Sequence, residues 1–309
     1  MMKKIAILWF VMVLAIAGCA SSEVGNEREH GEKIQVTTTI GMINDIVKNI
    51  GGDHLETIGL MKSGVDPHLY KASQGDIKKL DNADMIFYNG LHLEGKMVDI
   101  FEKMAKDKPT VAVTKNIPEQ ELLSPADGSQ GHDPHVWFNV KHWISAAETV
   151  EQELSKFDPD HSEDYQQNAE EYIKKLRELD EYVKKQISTI PEPFRVLVTA
   201  HDAFGYFGEA YGIKVMGLQG ISTASEYGSK DVTELRDFLV GNKIKAVFVE
   251  SSVPKKAIEA VIEGAKEKGH DVKIGGELFS DAMGEEGTEE GTYLGMVKHN
   301  VDTIVNALK

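Results

Sequence analysis

The chain has 309 residues, 50 of them acidic and 34 basic, for a formal net charge of −16 at neutral pH. That balance excludes nucleic acid as a partner, since such binding rests on Lys and Arg facing phosphates, and it sets the chain against an anionic lipid surface unless a covalent anchor holds it there. A single cysteine, Cys19, excludes an internal disulfide, and the length is enough for two domains with separate cores.

Lys3 and Lys4 precede an apolar run over 5–17, which falls short of the roughly 20 residues needed to cross a bilayer and reads as a secretory leader. The run ends Ile16-Ala17-Gly18-Cys19, which resembles a bacterial lipobox. The resemblance implies removal of residues 1–18 and a diacylglycerol on the Cys19 thiol, placing the protein on the outer face of the bacterial cell membrane, held by its lipid alone. Two acyl chains suffice for stable anchoring. The plain alternative is an ordinary leader with a chance cysteine. Residues 19–33, polar and without a periodic apolar face, read as a flexible tether.

The first half, 34–157, opens on a β-branched alternating strand at 34–39, followed by Met42, Ile43, Ile46, Val47 and Ile50 at helical spacing and a Gly51-Gly52 stop. Further strands are predicted at 55–60, 85–88 and 110–113, with helices near 73–80 and 94–105. Then comes one long helix over 158–190. Asp158 and Pro159 mark its start, Pro191 and Pro193 follow its end, and Tyr165, Ala169, Tyr172, Leu176, Leu179, Val183 and Ile187 form one apolar stripe. The helix is read as a strut between two halves, and a dimerising coiled coil is the alternative. The second half, 191–309, repeats the alternation, with strands at 196–199, 213–218, 246–250 and 272–274 and helices at 204–211, 230–240, 254–268 and 289–308. Alternating short strands and helices predict an α/β fold of two (β/α) lobes with mostly parallel sheets, in which ligands bind beyond the carboxyl ends of the strands.

Four residues fall in such places. Asp66-Pro67-His68 and Asp133-Pro134-His135 are the same tripeptide in stiff turns, His201 ends a strand, and Asp281 lies past the last one, so all four are expected at strand ends. Three imidazoles and a carboxylate suit a first-row divalent ion. They lie far apart in sequence, so the fold must assemble them. The competing reading keeps each histidine in a surface turn. That surface reading is retained for His54, His92, His142, His161, His270 and His299, with His142 set opposite a face of Val140, Trp143, Ile144 and Ala147. His132 is read as a loop residue, and the Gly- and Glu-rich stretch 284–291 as a solvated loop capping the last helix.

Around these residues stand Val65-Asp66-Pro67-His68-Leu69-Tyr70, Asp133-Pro134-His135-Val136-Trp137, Thr199-Ala200-His201-Asp202-Ala203-Phe204-Gly205-Tyr206-Phe207 and Leu278-Phe279-Ser280-Asp281-Ala282-Met283-Gly284. With these motifs the chain resembles, from lipobox to C-terminus, the metal-binding lipoproteins (cluster A-I solute-binding proteins) of manganese and zinc ABC importers, and most closely their MntA-like manganese group. The resemblance implies two lobes joined by one rigid helix, with His68, His135, His201 and Asp281 as ligands of a transported Mn(II) or Zn(II). It also implies delivery to a membrane permease driven by a cytoplasmic ATPase, with no catalytic step. The metal signals divide. Many manganese members carry glutamate where His201 stands, whereas zinc members often carry a long His-rich loop where 124–131 is short and has no histidine. Overall similarity favours Mn(II), with Zn(II) the alternative cargo. Glu250 is the first candidate to orient a ligand, with Asp66, Asp133, Asp202 and Glu226 behind it. Trp137, Phe138, Phe204 and Phe279 are candidates for a dry shell. A metallohydrolase and a surface adhesin are the competing functions, and monomer is the expected state.

Overall fold

The structure, a computed structural model, describes residues 32–125 and 130–309. The expected leader and Cys19 lie outside these residues, as does most of the expected tether. Among the described residues no helix is long and apolar enough to cross a membrane.

Strand β1 (Ile34–Thr38) leads into helix α1 (Gly41–Gly51), whose apolar residues Met42, Ile43, Ile46, Val47 and Ile50 are all buried. Gly52 closes α1 at φ +54, a left-handed backbone that glycine takes without a side-chain clash. Then come β2 (Leu55–Gly59), α2 (Gln74–Asn82), β3 (Met85–Tyr88), α3 (Val98–Met104) and β4 (Thr110–Ala112). Ser73 starts α2 through a reciprocal box: its hydroxyl accepts the Asp76 N–H while the Asp76 carboxylate accepts the Ser73 N–H. The four strands form one sheet in the order β2-β1-β3-β4, parallel throughout.

Helix α3 begins later than its sequence suggests. Glu94 turns inward, where its carboxylate accepts the Thr39 hydroxyl at 2.6 Å and the Asn89 N–H at 2.8 Å, and Leu91 and His92 take positive φ of 53° and 62° to allow it.

Helix α4 (Val140–Phe157) and helix α5 (Ser162–Ser188) follow, joined by a 3₁₀ turn over Pro159–His161. The long helix therefore opens as a 3₁₀ turn, and its 27 α-helical residues span about 40 Å. Asp158 accepts the Tyr165 hydroxyl at 2.7 Å instead of capping α5 itself. The whole predicted stripe is buried, and α1, α4, α6 and the C-terminal helix occupy it, so this chain itself fills the face a coiled-coil partner would need.

The second half holds β5 (Val196–His201), α6 (Gly205–Tyr211), β6 (Lys214–Gln219), α7 (Ser229–Gly241), β7 (Ala246–Glu250), α8 (Lys256–Glu267), β8 (Lys273–Leu278) and α9 (Tyr293–Leu308). Its strands pair in parallel as β5-β6 and β7-β8, with β5 lying next to β7. Helix α9 starts at Tyr293 because the Thr292 hydroxyl caps it by accepting the Gly295 N–H.

Two apolar clusters result. The larger runs from the first sheet through α1, α4 and α5 into α6 and α9, and the smaller sits under β5 to β8 with α7 and α8. Cores therefore do not divide at the long helix. Leu176, fully buried on α5, belongs to the larger cluster. Leu176→Ala is expected to lower stability by about 2–5 kcal/mol, read as a shifted urea midpoint at unchanged slope.

Candidate metal centre

His68, His135, His201 and Asp281 are all buried, and one ligand atom from each lies within 4.8 Å of all the others. They arrive by different routes. His201 is the last residue of β5, and Asp281 sits three residues beyond β8. His68 lies well past β2, in the turn before α2, and His135 heads the 3₁₀ turn Val136–Phe138 that leads into α4. Only the two second-half residues stand at strand ends; the first-half pair is carried on loops, since β2 ends at Gly59 and β4 at Ala112, well before either histidine.

The ring nitrogens face a common point. Nε2 of His68 is 3.3 Å from Nε2 of His135 and 3.7 Å from Asp281 Oδ2, while Asp281 lies 3.3 Å from His135 Nε2 and 3.4 Å from His201 Nε2. Among the described residues, no protein donor bonds either Asp281 oxygen and no protein group bonds His201 Nε2, although all are buried. Buried polar atoms without partners are costly, and a divalent cation would satisfy all of them at once.

The three histidines are each braced from behind. Glu250, the last residue of β7, places Oε2 2.5 Å from His201 Nδ1 and accepts the His201 N–H with Oε1 at 2.9 Å. Asp133 does the same for His135, at 2.7 Å from Nδ1 and 2.9 Å from its N–H. Such carboxylates fix the tautomer that leaves Nε2 free for an ion. Asp66 accepts the His68 N–H at 2.8 Å, bracing the backbone rather than the ring. Asp202 is half-buried and lines a different cavity with Asp133, while Glu226 is exposed on the loop after β6 and so does not support the cluster. Trp137 is buried with its ring edge-on to His135 at 5.2 Å, Phe138 and Phe204 are buried and stacked on each other at 4.2 Å, and Phe279 is half-buried against the His299 ring.

One histidine departs from its expected setting. His142 is buried, with its ring edge-on to Tyr206 at 5.4 Å, because α6 covers the first turn of α4 on the side opposite its apolar stripe. His54, His92, His132, His161, His270 and His299 stay outside the cluster. Sequence reasoning gave no role to Thr223, whose hydroxyl donates to Asp66 Oδ2 at 2.6 Å, or to Tyr206 and Tyr293, which hold the His135 turn; Tyr206 fell within the His201 motif, and nothing local marks the other two.

Electrostatics separate the three imidazoles. Burial pushes His68 down to about 3, helped by His135 and His201 and only partly opposed by Asp281. Burial also acts to lower His135, but Asp133 and Asp281 outweigh it and raise it to about 9. His201 is raised well above the usual value as Glu250 and Asp281 overcome its burial, and the same histidines hold Asp281 well below the carboxylate range despite burial. At neutral pH the metal-free site thus carries protons on His135 and His201 that an ion must displace. The metal-free state binds more protons than the loaded one, so affinity rises with pH through about 9, where His135 gives up its proton, and His201, raised in the same direction, adds to the rise. A slope approaching about two protons per ion is expected, measured by calorimetry at pH 7.5 in buffers of differing ionisation enthalpy.

The fold and the site define a class: a solute-binding protein of two α/β halves closing a buried site of three histidines and a carboxylate. The family model for the periplasmic zinc-uptake complex component A (ZnuA) matches residues 36–307, and the chain belongs to that family. It is 54% identical over 295 residues to the manganese-binding lipoprotein MntA of Bacillus subtilis, covering 96% of this chain and 95% of that one. It is 51% identical over 273 residues to the zinc-binding protein TroA of Treponema pallidum, covering 88% of each. The solved periplasmic zinc-binding protein TroA superposes at a TM-score of 0.87 and 51% identity, covering 90% of this chain and 99% of that one. A Mn-bound periplasmic metal-binding protein from Candidatus Liberibacter asiaticus superposes at 0.79 with 26% identity, covering 90% of this chain and 100% of that one.

Proposed function

We propose that this chain is a lipid-anchored receptor on the outer face of the bacterial cell membrane that captures Mn(II) and delivers it to an ABC import permease and its ATPase. In this reading His68, His135, His201 and Asp281 are the ligands, Cys19 carries the lipid, and no catalytic step is assigned. Residues 34–157 and 191–309 are the lobes on either side of the helix 158–190, and the receptor works as a monomer. The observation that carries the reading is the buried convergence of three imidazoles and one carboxylate from both halves of the chain. Relatives named as manganese-binding lipoproteins support the cargo. Zn(II) is the second reading, favoured by His201, since a third imidazole suits zinc, and by the likeness to a protein named for zinc binding.

Titration calorimetry of chelator-stripped protein with Mn²⁺ and with Zn²⁺ tests the proposal. One tight site for each ion, lost in His201→Ala, is the expected result. No saturable site for either ion overturns the receptor.

A further inference from the structure

His201 lies in β5, where pairing with Gln219 of β6 fixes its backbone. His135 lies on a loop without such a ladder, so side chains must hold its backbone instead. The peptide joining Pro134 to His135 is gripped on both sides. Its N–H donates to Asp133 Oδ1 at 2.9 Å, and its carbonyl accepts the side-chain amide of Asn89 at 3.0 Å. Because the peptide is planar, fixing both groups fixes the direction in which the His135 side chain leaves the backbone. Asn89 thus does for His135 what a neighbouring strand does for His201.

Asn89 follows β3 and is fully buried. Its N–H donates to Glu94 Oε1 at 2.8 Å, and its carbonyl accepts the Thr114 hydroxyl at 2.7 Å. Between Asn89 and Glu94 the chain takes three successive positive φ values, 90° at Gly90, 53° at Leu91 and 62° at His92, which bend Glu94 back onto the end of the strand. Glycine alone suits the first, since a β-carbon there would stand 2.8 Å from Thr114 Oγ1 and 3.0 Å from Ala112 Cβ. For Leu91 and His92 the left-handed backbone is costly, and it persists only where the surroundings over-determine it. Glu94 supplies that constraint. Buried itself, it also accepts the Thr39 hydroxyl at 2.6 Å and so ties the ends of β1 and β3 together.

The Asn89 amide bridges the Gly90 carbonyl, at 3.1 Å, and the Pro134 carbonyl, while its own Oδ1 is buried with no partner among the described residues. An unpaired buried oxygen is a cost that an apolar side chain would avoid, so what this asparagine contributes is its donor.

We infer that Asn89 is a positioning residue for His135, setting the imidazole through the Pro134 carbonyl, and that Glu94 keeps Asn89 in place by pinning the left-handed turn 90–92. The inference rests on the receptor reading above and adds to it two residues that are not ligands. Both act through His135, so their effects on the ion do not add.

The test titrates the chelator-stripped full chain with Zn²⁺ against a chromogenic chelator. Asn89→Leu, which keeps much of the volume and lacks the donor, and Asn89→Ala are each expected to weaken Zn²⁺ binding about tenfold, the scale of groups that orient metal ligands. Glu94→Gln is expected to weaken it by a similar factor, and Asn89→Leu combined with Glu94→Gln by no more than the larger single loss. Leu176→Ala, which loosens the core on α5, is expected to bind as the parent does. Loading with Co²⁺ separates positioning from stability: the visible absorption of Asn89→Leu is expected to differ from the parent's, and that of Leu176→Ala to match it. Parent affinity or a parent spectrum in a folded Asn89 variant overturns the role of Asn89, and additive losses in the double variant overturn the role of Glu94. Glu94→Gln at parent affinity overturns the inference whether or not the Asn89 variants fold. A parent chain that holds no Zn²⁺ overturns the receptor reading itself, a result distinct from a parent that binds the ion no better than its Asn89 variants.

Discussion

Asp281→Ala is expected to abolish Mn²⁺ binding and to weaken Zn²⁺ by at least about a hundredfold in calorimetry. Four-ligand sites supply about 10–16 kcal/mol to zinc, so one ligand accounts for a few kcal/mol, or two to three decades. The loss is larger for manganese because Asp281 is the one oxygen donor among the four residues, and a harder ion depends on it more than zinc, which three imidazoles can still hold. The substitution also removes the charge that stabilises the imidazolium forms of His135 and His201 in the empty site. Asp281→Asn keeps an oxygen and is expected to retain weak Mn²⁺ binding. A Mn²⁺ affinity in Asp281→Ala equal to the parent would remove Asp281 from the ligand set.

Glu250→Gln is expected to cost about 10–100-fold in affinity for either ion, because the carboxylate that orients His201 through Nδ1 is replaced by a neutral amide. The same contact predicts the outcome of exchanging His201 for the glutamate that resembles the manganese pattern. His201→Glu alone places two carboxylates in a buried site where histidine and glutamate now stand 2.5 Å apart, so one must stay protonated and binding falls with it. Adding Glu250→Gln relieves that repulsion and is expected to restore Mn²⁺ binding in preference to Zn²⁺. Competition between the two ions, followed by Mn²⁺ paramagnetic resonance, decides it: a double variant no better than His201→Glu means that Glu250 does not constrain this position.

Much of the architecture was legible because short-range patterns caused it. The 3.6-residue stripe on α5 and the β-branched run of β1 produced the elements they promised, since burial of one face is a local requirement. Ends were less legible. Helix α3 starts late because Glu94 is drawn to Thr39 and Asn89, a demand set by groups on a neighbouring strand and loop. His142 looked exposed because periodicity assumes one covered face, whereas α4 is covered on two sides near its start.

The sequence by itself determined the residue types able to hold a divalent ion, the stiff turns that offer two of them, and the alternation that sets a parallel α/β fold. Only the tertiary structure decided that four residues separated by long stretches of chain converge. It also decided that Glu250 and Asp133 orient imidazoles while Glu226 faces solvent, and that Thr223 meets the Asp66 that holds the His68 N–H. The reason is physical. Helix and strand periods are properties of neighbouring residues, but a ligand set is a property of which strand ends and loops the packed cores bring within a few ångströms, and no local pattern carries that distance.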